Sequence, residues 1–435
     1  MWDFTTEPEF QAKLDWMADF VRDEVSALDL LFPSASVIYD VTHEQSRAIL
    51  RPLQDEVRRQ GLWACHLGPE LGGQGYGQVK LALMNEVLGR SDWAPTVFGT
   101  QAPDTGNAEI LAMFGTAEQK ERYLEPLLDG RIVSSFSMTE PQAGADPKEF
   151  VCRAWQDGDE WVIDGEKWFT SNARFAAFLI VMAVTDPDAA PHRRMSMFVV
   201  PTETPGVEIR RNVGTMAERD DLDEGIHGYL RYREVRVPAD AMLGGRGEGF
   251  AVAQARLGGG RVHHAMRTVG KCQRALDMMC ERALSRRTQG TLLADKQAVQ
   301  QFIADSAIEL EQYRLLVLKT AWIIDTQPHG AARAHIAMCK VAMARIYHDI
   351  VQRALHLHGS LGTTHELPLA ELWMNVPSLA LADGPTEVHR TTVAKQLLKQ
   401  HSPSPGLFPT EHLPPKREAA RARYADVLAT PGPTT

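Results

Sequence analysis

The spacing of apolar positions along the chain changes period twice and divides it into three regions. In FQAKLDWMADFVRDEVSAL (10–28), Leu14, Met17, Phe20 and Val21 recur three or four positions apart, which places one apolar stripe along a helix. A glycine-rich stretch, GPELGGQGYGQ (68–78), interrupts that period before KLALMNEVLGRS (80–91) resumes it. AEQKERYLEPLLDG (117–130) opens with acids and stops at Gly130, as a helix does. Residues 1–131 therefore read as an N-terminal helical domain.

From 132 to 243 the runs become short and rich in β-branched and aromatic residues: WVIDGEKWF, FLIVMAVT, MSMFVVP, VEIRR and YLRYREVRVP. Asp-Gly pairs at 157–158 and 164–165 predict turns between them. This region reads as a middle antiparallel β domain, a barrel or sandwich. Over 244–400 the helical period returns in three long amphipathic segments (269–287, 296–326 and 331–359), which predicts a C-terminal helical bundle. A Pro-rich tail, 401–435, follows. The fold class expected is α+β, with a sheet domain between two helical ones.

Composition narrows the function classes. A chain of 435 residues can bury a large core, and 44% hydrophobic with 23% charged residues is ordinary for a globular protein. The net charge of −10 lacks the basic footprint that nucleic acid or an anionic membrane surface requires. The five cysteines are odd in number, widely spaced and never in CxxC, the pattern of reduced thiols. No signal peptide or transmembrane-length run is visible, so the expected location is cytoplasmic. His263-His264 and His356-x-His358 stand at helical spacings that aim neighbours apart, so no metal site is expected.

Several segments carry candidate chemistry. FSMTEPQAGAD (136–146) has the hydroxyl, acid, Pro and small residues of a tight loop whose N–H groups hold a carbonyl or phosphate; it equally suits a surface turn before the first strand. GEKWFTSNA (165–173) sets aromatics beside Thr170, Ser171 and Asn172, which suits a planar cofactor or simply an amphipathic strand. Arg286 and Arg287 near a helix end suit phosphate or the helix dipole. GSLG (359–362) suits a phosphate-hugging turn or a helix stop. In ALADGPTEVHR (380–390) two acids, Asp383 and Glu387, flank a helix-breaking Gly-Pro. Asp383 reads either as the cap of the following helix or as a base presented where the backbone must turn.

Taken in order, GLW…P…GG…G (61–75), FSMTEP, GEKWFTSNA, VRVP (235–238), GEGF (247–250), the Arg-rich helix end and ADGPTE resemble the acyl-CoA dehydrogenase family of flavoproteins, over about residues 10–400. QAPDTGN (101–107), RLGGGRVHHAMRTVG (256–270), PLAEL (368–372) and ADGPTEVH (382–389) are similar to one subgroup: the dehydrogenase half of aminoglycoside-phosphotransferase/acyl-CoA dehydrogenase fusions and their stand-alone bacterial relatives. The resemblance implies a four-helix C-terminal bundle, FAD between bundle and β domain, an acyl-CoA substrate, an electron-transfer flavoprotein as acceptor, and a homo-oligomer (dimer or tetramer) sharing the FAD site between subunits.

Residue by residue, the resemblance implies that Phe136, Met138 and Thr139 lie along the flavin. Phe169 stands for the usual Trp and Ser171 for the usual Thr whose hydroxyl meets flavin N5, with Thr170 between them. Arg286, Gln297, Gly359, Ser360 and Glu387 complete the cofactor set, and Ala145, Arg261 and Gly384 the substrate set. Ala145 replaces a common Ser, and Gln289 the usual Phe. Asp383 aligns with the glutamate that most members use as base; others carry it on the earlier bundle helix, where this chain has Gly260. The base takes an α-proton while hydride leaves the β-carbon for the flavin. Facing an apolar acyl chain, its pKa is expected to be raised. Two other readings belong beside this one: a flavin oxidase of small carbon acids like nitroalkane oxidase, and a non-catalytic acyl-CoA-binding scaffold.

Overall fold

The computed structural model describes residues 4–69, 73–218, 225–328 and 330–429. Residues 70–72 of the glycine-rich loop and the last six of the tail lie outside these.

The N-terminal stripe forms helices at Pro8–Phe20 and Ser26–Leu31 joined by a π turn, with Met17 and Val21 buried. The helical run from Ala117 begins at a capping box: the Thr116 hydroxyl accepts from Gln119 N, and the Gln119 side chain accepts from Thr116 N. Helices Glu44–Arg59, Gly77–Leu88 and Asp104–Phe114 complete this part.

Seven strands follow: β1 (Val133–Ser137), β2 (Arg153–Asp157), β3 (Glu160–Ser171), β4 (Ala176–Val184), β5 (Met195–Pro201), β6 (Val207–Val213) and β7 (His227–Pro238). They form one curled sheet in the order β1-β4-β2-β3-β7-β6, with β5 on β4. Three details differ from the sequence reading. The sheet is mixed rather than antiparallel, because β1 and β2 both run parallel to β4. β1, VSSFS, carries no apolar alternation. Its serines are buried and satisfied by polar partners: Ser134 by Asp104 and Asn107, Ser135 by the Ser171 carbonyl, Ser137 by Tyr232. FSMTEP therefore begins inside the first strand, at Phe136 and Ser137, instead of preceding it. Of the two Asp-Gly pairs, the first makes the β2–β3 hairpin. The second is a bulge inside β3, where a Cβ on Gly165 would lie 2.6 Å from Cys152 Cα.

The C-terminal part packs helices Gly249–Ser285, Gln297–Thr326 and Arg333–His358 with a fourth member split into Leu369–Leu381 and Thr386–Leu398. The glycine triplet 258–260 lies well inside the 37-residue first helix, not at a flexible start. One core joins both helical parts: Met17, Leu81 and Met84 pack with Val262, Val269, Leu318 and Tyr347, each such side chain contributing about 2 kcal/mol. Helices Gly77–Leu88 and Gly249–Ser285 meet in backbone contact, since a Cβ on Gly270 would fall 2.1 Å from the Glu86 carbonyl oxygen. A second core joins helix Asp104–Phe114 and the start of helix Gly249–Ser285 to the outer face of the sheet. The long helix thus runs from sheet to bundle. All five cysteines are unpaired. Among the described residues no helix is long and apolar enough to cross a membrane.

Candidate active site

Helix Leu369–Leu381 ends at Ala382, and the chain passes through Asp383 at φ 56° and Gly384 at φ 103° before the next helix begins at Thr386. A left-handed aspartate is tolerated because its short side chain adds little steric cost, but the conformation needs support. Support comes from three directions. Arg261 Nε donates to the Asp383 carbonyl at 2.8 Å, and His389 Nε2 lies 3.3 Å from the same oxygen. Lys340 Nζ, on helix Arg333–His358, donates to the carbonyls of Leu379 (2.5 Å) and Ala382 (2.8 Å). The Asp383 N–H makes no hydrogen bond among the described residues.

The Asp383 carboxylate lies against the long helix. A Cβ on Gly260 would stand 3.4 Å from Oδ2, and His264 Nε2 stands 3.7 Å from the same atom. Burial alone would raise the pKa of this acid. The surrounding His264, Arg256, Lys340 and Arg261 outweigh it and hold the carboxyl below its ordinary value, the reverse of the expected elevation. Burial brings His264 down to about 4, against the pull of Asp383, so at neutral pH its imidazole is uncharged. The capping role weighed for Asp383 is absent: helix Thr386–Leu398 has no side-chain cap.

Arg256 links this turn to the sheet. Its Nε donates to Asn107 Oδ1 at 2.8 Å, and its guanidinium sits 4.0 Å over the Phe136 ring. Asp104 accepts from Ser134 and Gln101, and burial raises it to about 6. Glu109, one turn on, is raised by burial to about 7, against the pull of Arg256. The QAPDTGN segment is therefore a buried polar wall beside the base.

On the sheet side, the FSMTEP loop is built around a buried ion pair. Lys167 Nζ lies 2.9 Å from Glu140 Oε1 and donates to the Met138 carbonyl, while Glu140 also accepts from the N–H groups of Val151 and Cys152. Trp168 N donates to the Thr139 carbonyl, which ties this loop to β3. A bulge there puts Phe169 at φ 49° with its ring 54% exposed. Ser171 Oγ lies 2.9 Å from His227 Nδ1. The Thr170 side chain is fully buried, its hydroxyl 3.3 Å from that of Ser137. Asn172 has both amide atoms buried without a partner among the described residues. An exposed aromatic in strained backbone, a hydroxyl and an unpaired amide suit a planar polar group.

The remaining candidates are spread over the surface. Arg286 and Gln297 are exposed at the end of one bundle helix and the start of the next. Gly359 (φ 66°) and Ser360 line a surface cavity of about 670 Å³ with Gln352, His356 and Trp373. Ala145 and Glu387 are exposed. A Cβ on Gly384 would meet His389 Nε2 at 3.1 Å. Lys340, Glu109 and Lys167 were not singled out from the sequence; His264 was weighed there only as a metal ligand and Glu140 only as the acid of the FSMTEP loop.

Family models match three segments: "Acyl-CoA dehydrogenase, N-terminal domain" over 9–131, "middle domain" over 135–227 and "C-terminal domain" over 247–398. The probable acyl-CoA dehydrogenase FadE2 of Mycobacterium tuberculosis is 40% identical over 404 residues, 92% of this chain and 93% of that protein. Acyl-CoA dehydrogenase family member 11 of Rattus norvegicus is 39% identical over 81% of this chain, which spans only 45% of that relative's length. A solved structure from Mycobacterium abscessus, inferred to be an acyl-CoA dehydrogenase, superposes with a TM-score of 0.83 at 37% identity, covering 92% of this chain and all of that one.

Proposed function

The chain belongs to the acyl-CoA dehydrogenase family, and from that premise we propose that it dehydrogenates an acyl-CoA thioester with FAD as cofactor and Asp383 as the base. The observation that carries this reading is the turn at 382–384, an acid in left-handed backbone pinned by Arg261 and Lys340 against a bare stretch of helix at Gly260. Within the family, the QAPDTGN, RLGGGRVHHAMRTVG, PLAEL and ADGPTEVH segments support placement in the subgroup of the phosphotransferase fusions and their stand-alone relatives.

Phe136, Met138, Thr139, Phe169 and Ser171 would hold the flavin, with Arg286, Gln297, Gly359, Ser360 and Glu387 toward its other end and on a neighbouring copy. Bound FAD supplies the acceptor for the β-hydride. The chain supplies the rest. Asp383 is ionised at neutral pH and takes the α-proton onto one carboxylate oxygen. Its unpaired N–H is free to donate to the thioester carbonyl, where negative charge develops as the proton leaves. Lys340, through the Ala382 carbonyl, fixes the peptide that bears this N–H, and Arg261 fixes the next one through the Asp383 carbonyl. Gly384 and Ala145 belong to the substrate side. The working partners are an acyl-CoA, an electron-transfer flavoprotein and further copies of the chain. Unpaired, mostly buried thiols accord with a cytoplasmic setting.

The test is anaerobic titration of purified protein with acyl-CoAs of graded length, followed by flavin absorbance. Bleaching in wild type and not in Asp383→Asn is the expected result. Flavin that no CoA ester bleaches moves the reading to an oxidase of small carbon acids. Protein that cannot be loaded with FAD overturns it in favour of a binding scaffold.

A further inference from the structure

We propose that His264 is a positioning residue for Asp383, gripping the carboxylate on the face that Gly260 leaves open and so allowing an aspartate to do the work of a longer acid. The inference deepens the proposed function and rests on Asp383 as base.

Gly260 and His264 stand four apart on helix Gly249–Ser285 and so share a face. At Gly260 an added Cβ would meet only Asp383 Oδ2, at 3.4 Å, with nothing else within 4 Å. The helix therefore runs bare past the carboxylate. One turn on, the ring of His264 reaches the same oxygen at 3.7 Å, and among the described residues no other basic nitrogen comes within 4.0 Å of this carboxylate. The cations that bond to this turn, Arg261 and Lys340, do so through backbone carbonyls. They place the peptide and leave the side chain free to rotate. A neutral imidazole with its proton on Nε2 donates to Oδ2 after closing by about 0.8 Å. Oδ1 is then the oxygen left for the substrate. His263 cannot substitute, because it points elsewhere and packs edge-on to His66, ring centroids 6.4 Å apart. Besides Asp383, the groups facing His264 are Arg267 and Lys271 on its own helix and Lys340 opposite, all cationic, which favours the uncharged donor form.

A positioning role separates from a merely structural one by what moves. In anaerobic mixing with the best CoA ester, His264→Leu should slow flavin bleaching by roughly 30-fold or more, the scale of a misplaced reacting group. The half-saturating ester concentration and flavin content should stay near wild type. His264→Gln, which restores an N–H donor, should recover most of the rate. The acid limb of kcat/KM should move to higher pH in His264→Leu, where the carboxylate loses a donor to its charged form. Activity-independent evidence comes from ¹⁵N-histidine spectra of the holoprotein: the signal missing in His264→Gln should report the Nε2–H tautomer and shift in Asp383→Asn. A His264 signal unmoved by Asp383→Asn, or wild-type bleaching in His264→Leu, overturns the proposal. If no CoA ester bleaches wild type yet the signal shifts as described, the acyl-CoA reading falls and the His264–Asp383 pairing stands.

Discussion

Lys340 donates through Nζ to the Ala382 carbonyl at 2.8 Å, so the residue before the base is tied to a different bundle helix. Its second bond, to Leu379, occupies another of the carbonyls that a helix end leaves open. Lys340→Met keeps the length and removes both bonds, and should destabilise the protein by about 2 kcal/mol in urea unfolding at pH 7. Flavin reduction should slow with it, because the turn then relaxes. Unchanged stability together with unchanged reduction would remove Lys340 from this account.

Asp383 is held below its ordinary value by cations, so the proton-free form persists well into the acid range. In the free enzyme kcat/KM should be flat from pH 7 to 5, falling only at lower pH as the carboxylate takes up a proton. A midpoint near 6 would mean that the apolar character of the site, not its charge, dominates. Asp383→Asn should lower kcat by roughly 10³-fold with FAD still bound.

Glu109 gives the opposite sign. Its pKa is raised by burial from 4.5 to about 7. Its contribution to stability is fully present below pH 4.5 and is lost as pH rises through 7. The loss amounts to roughly 3 kcal/mol by pH 8. Glu109→Gln carries no such charge. Its melting temperature relative to wild type should therefore climb between pH 5 and 8, as read by calorimetry.

Phe169 shows 54% of its surface in a backbone conformation that disfavours large side chains, so it contributes little to the apo fold. Phe169→Ala should leave apoprotein melting within 1–2 °C of wild type, yet weaken FAD binding by about tenfold, the worth of one stacked ring. Equal losses in both would make it a core residue.

The Lys167–Glu140 pair is fully buried, with Glu140 also accepting from two backbone N–H groups. Lys167→Met leaves an uncompensated carboxylate and should cost about 3–5 kcal/mol, with loss of flavin as the Met138–Thr139 loop loosens. A variant that retains both stability and flavin would contradict this.

Much of the fold was legible because apolar periodicity is a local signal: five of the seven strands and the long bundle helices follow it. β1 was not, since its buried serines hide burial behind polar identity. Nor was the bulge at Gly165, where Asp-Gly punctuation means a close backbone approach instead of a turn. In the site, Asp383, Phe169 and Ser171 stood out through motif order. Strand alternation turns the Thr170 side chain inward, onto Ser137. Lys340 lies outside every motif and Glu109 just beyond QAPDTGN, and both matter only through three-dimensional neighbours. The lowered pKa of the base without substrate was hidden for the same reason, since His264, Arg256, Lys340 and Arg261 reach it from separate turns or helices.

At the turn of Asp383 the anchors grip main-chain oxygens of residues 379, 382 and 383, and none of them depends on which side chain stands at 383. Placement and reactivity are thereby separable inheritances. A lineage can exchange the acid at this point, or retire it, without refolding the scaffold that presents it. The same independence makes position 383 a natural entry point for redesign: short polar side chains that tolerate left-handed backbone inherit a finished geometry there and change only the chemistry.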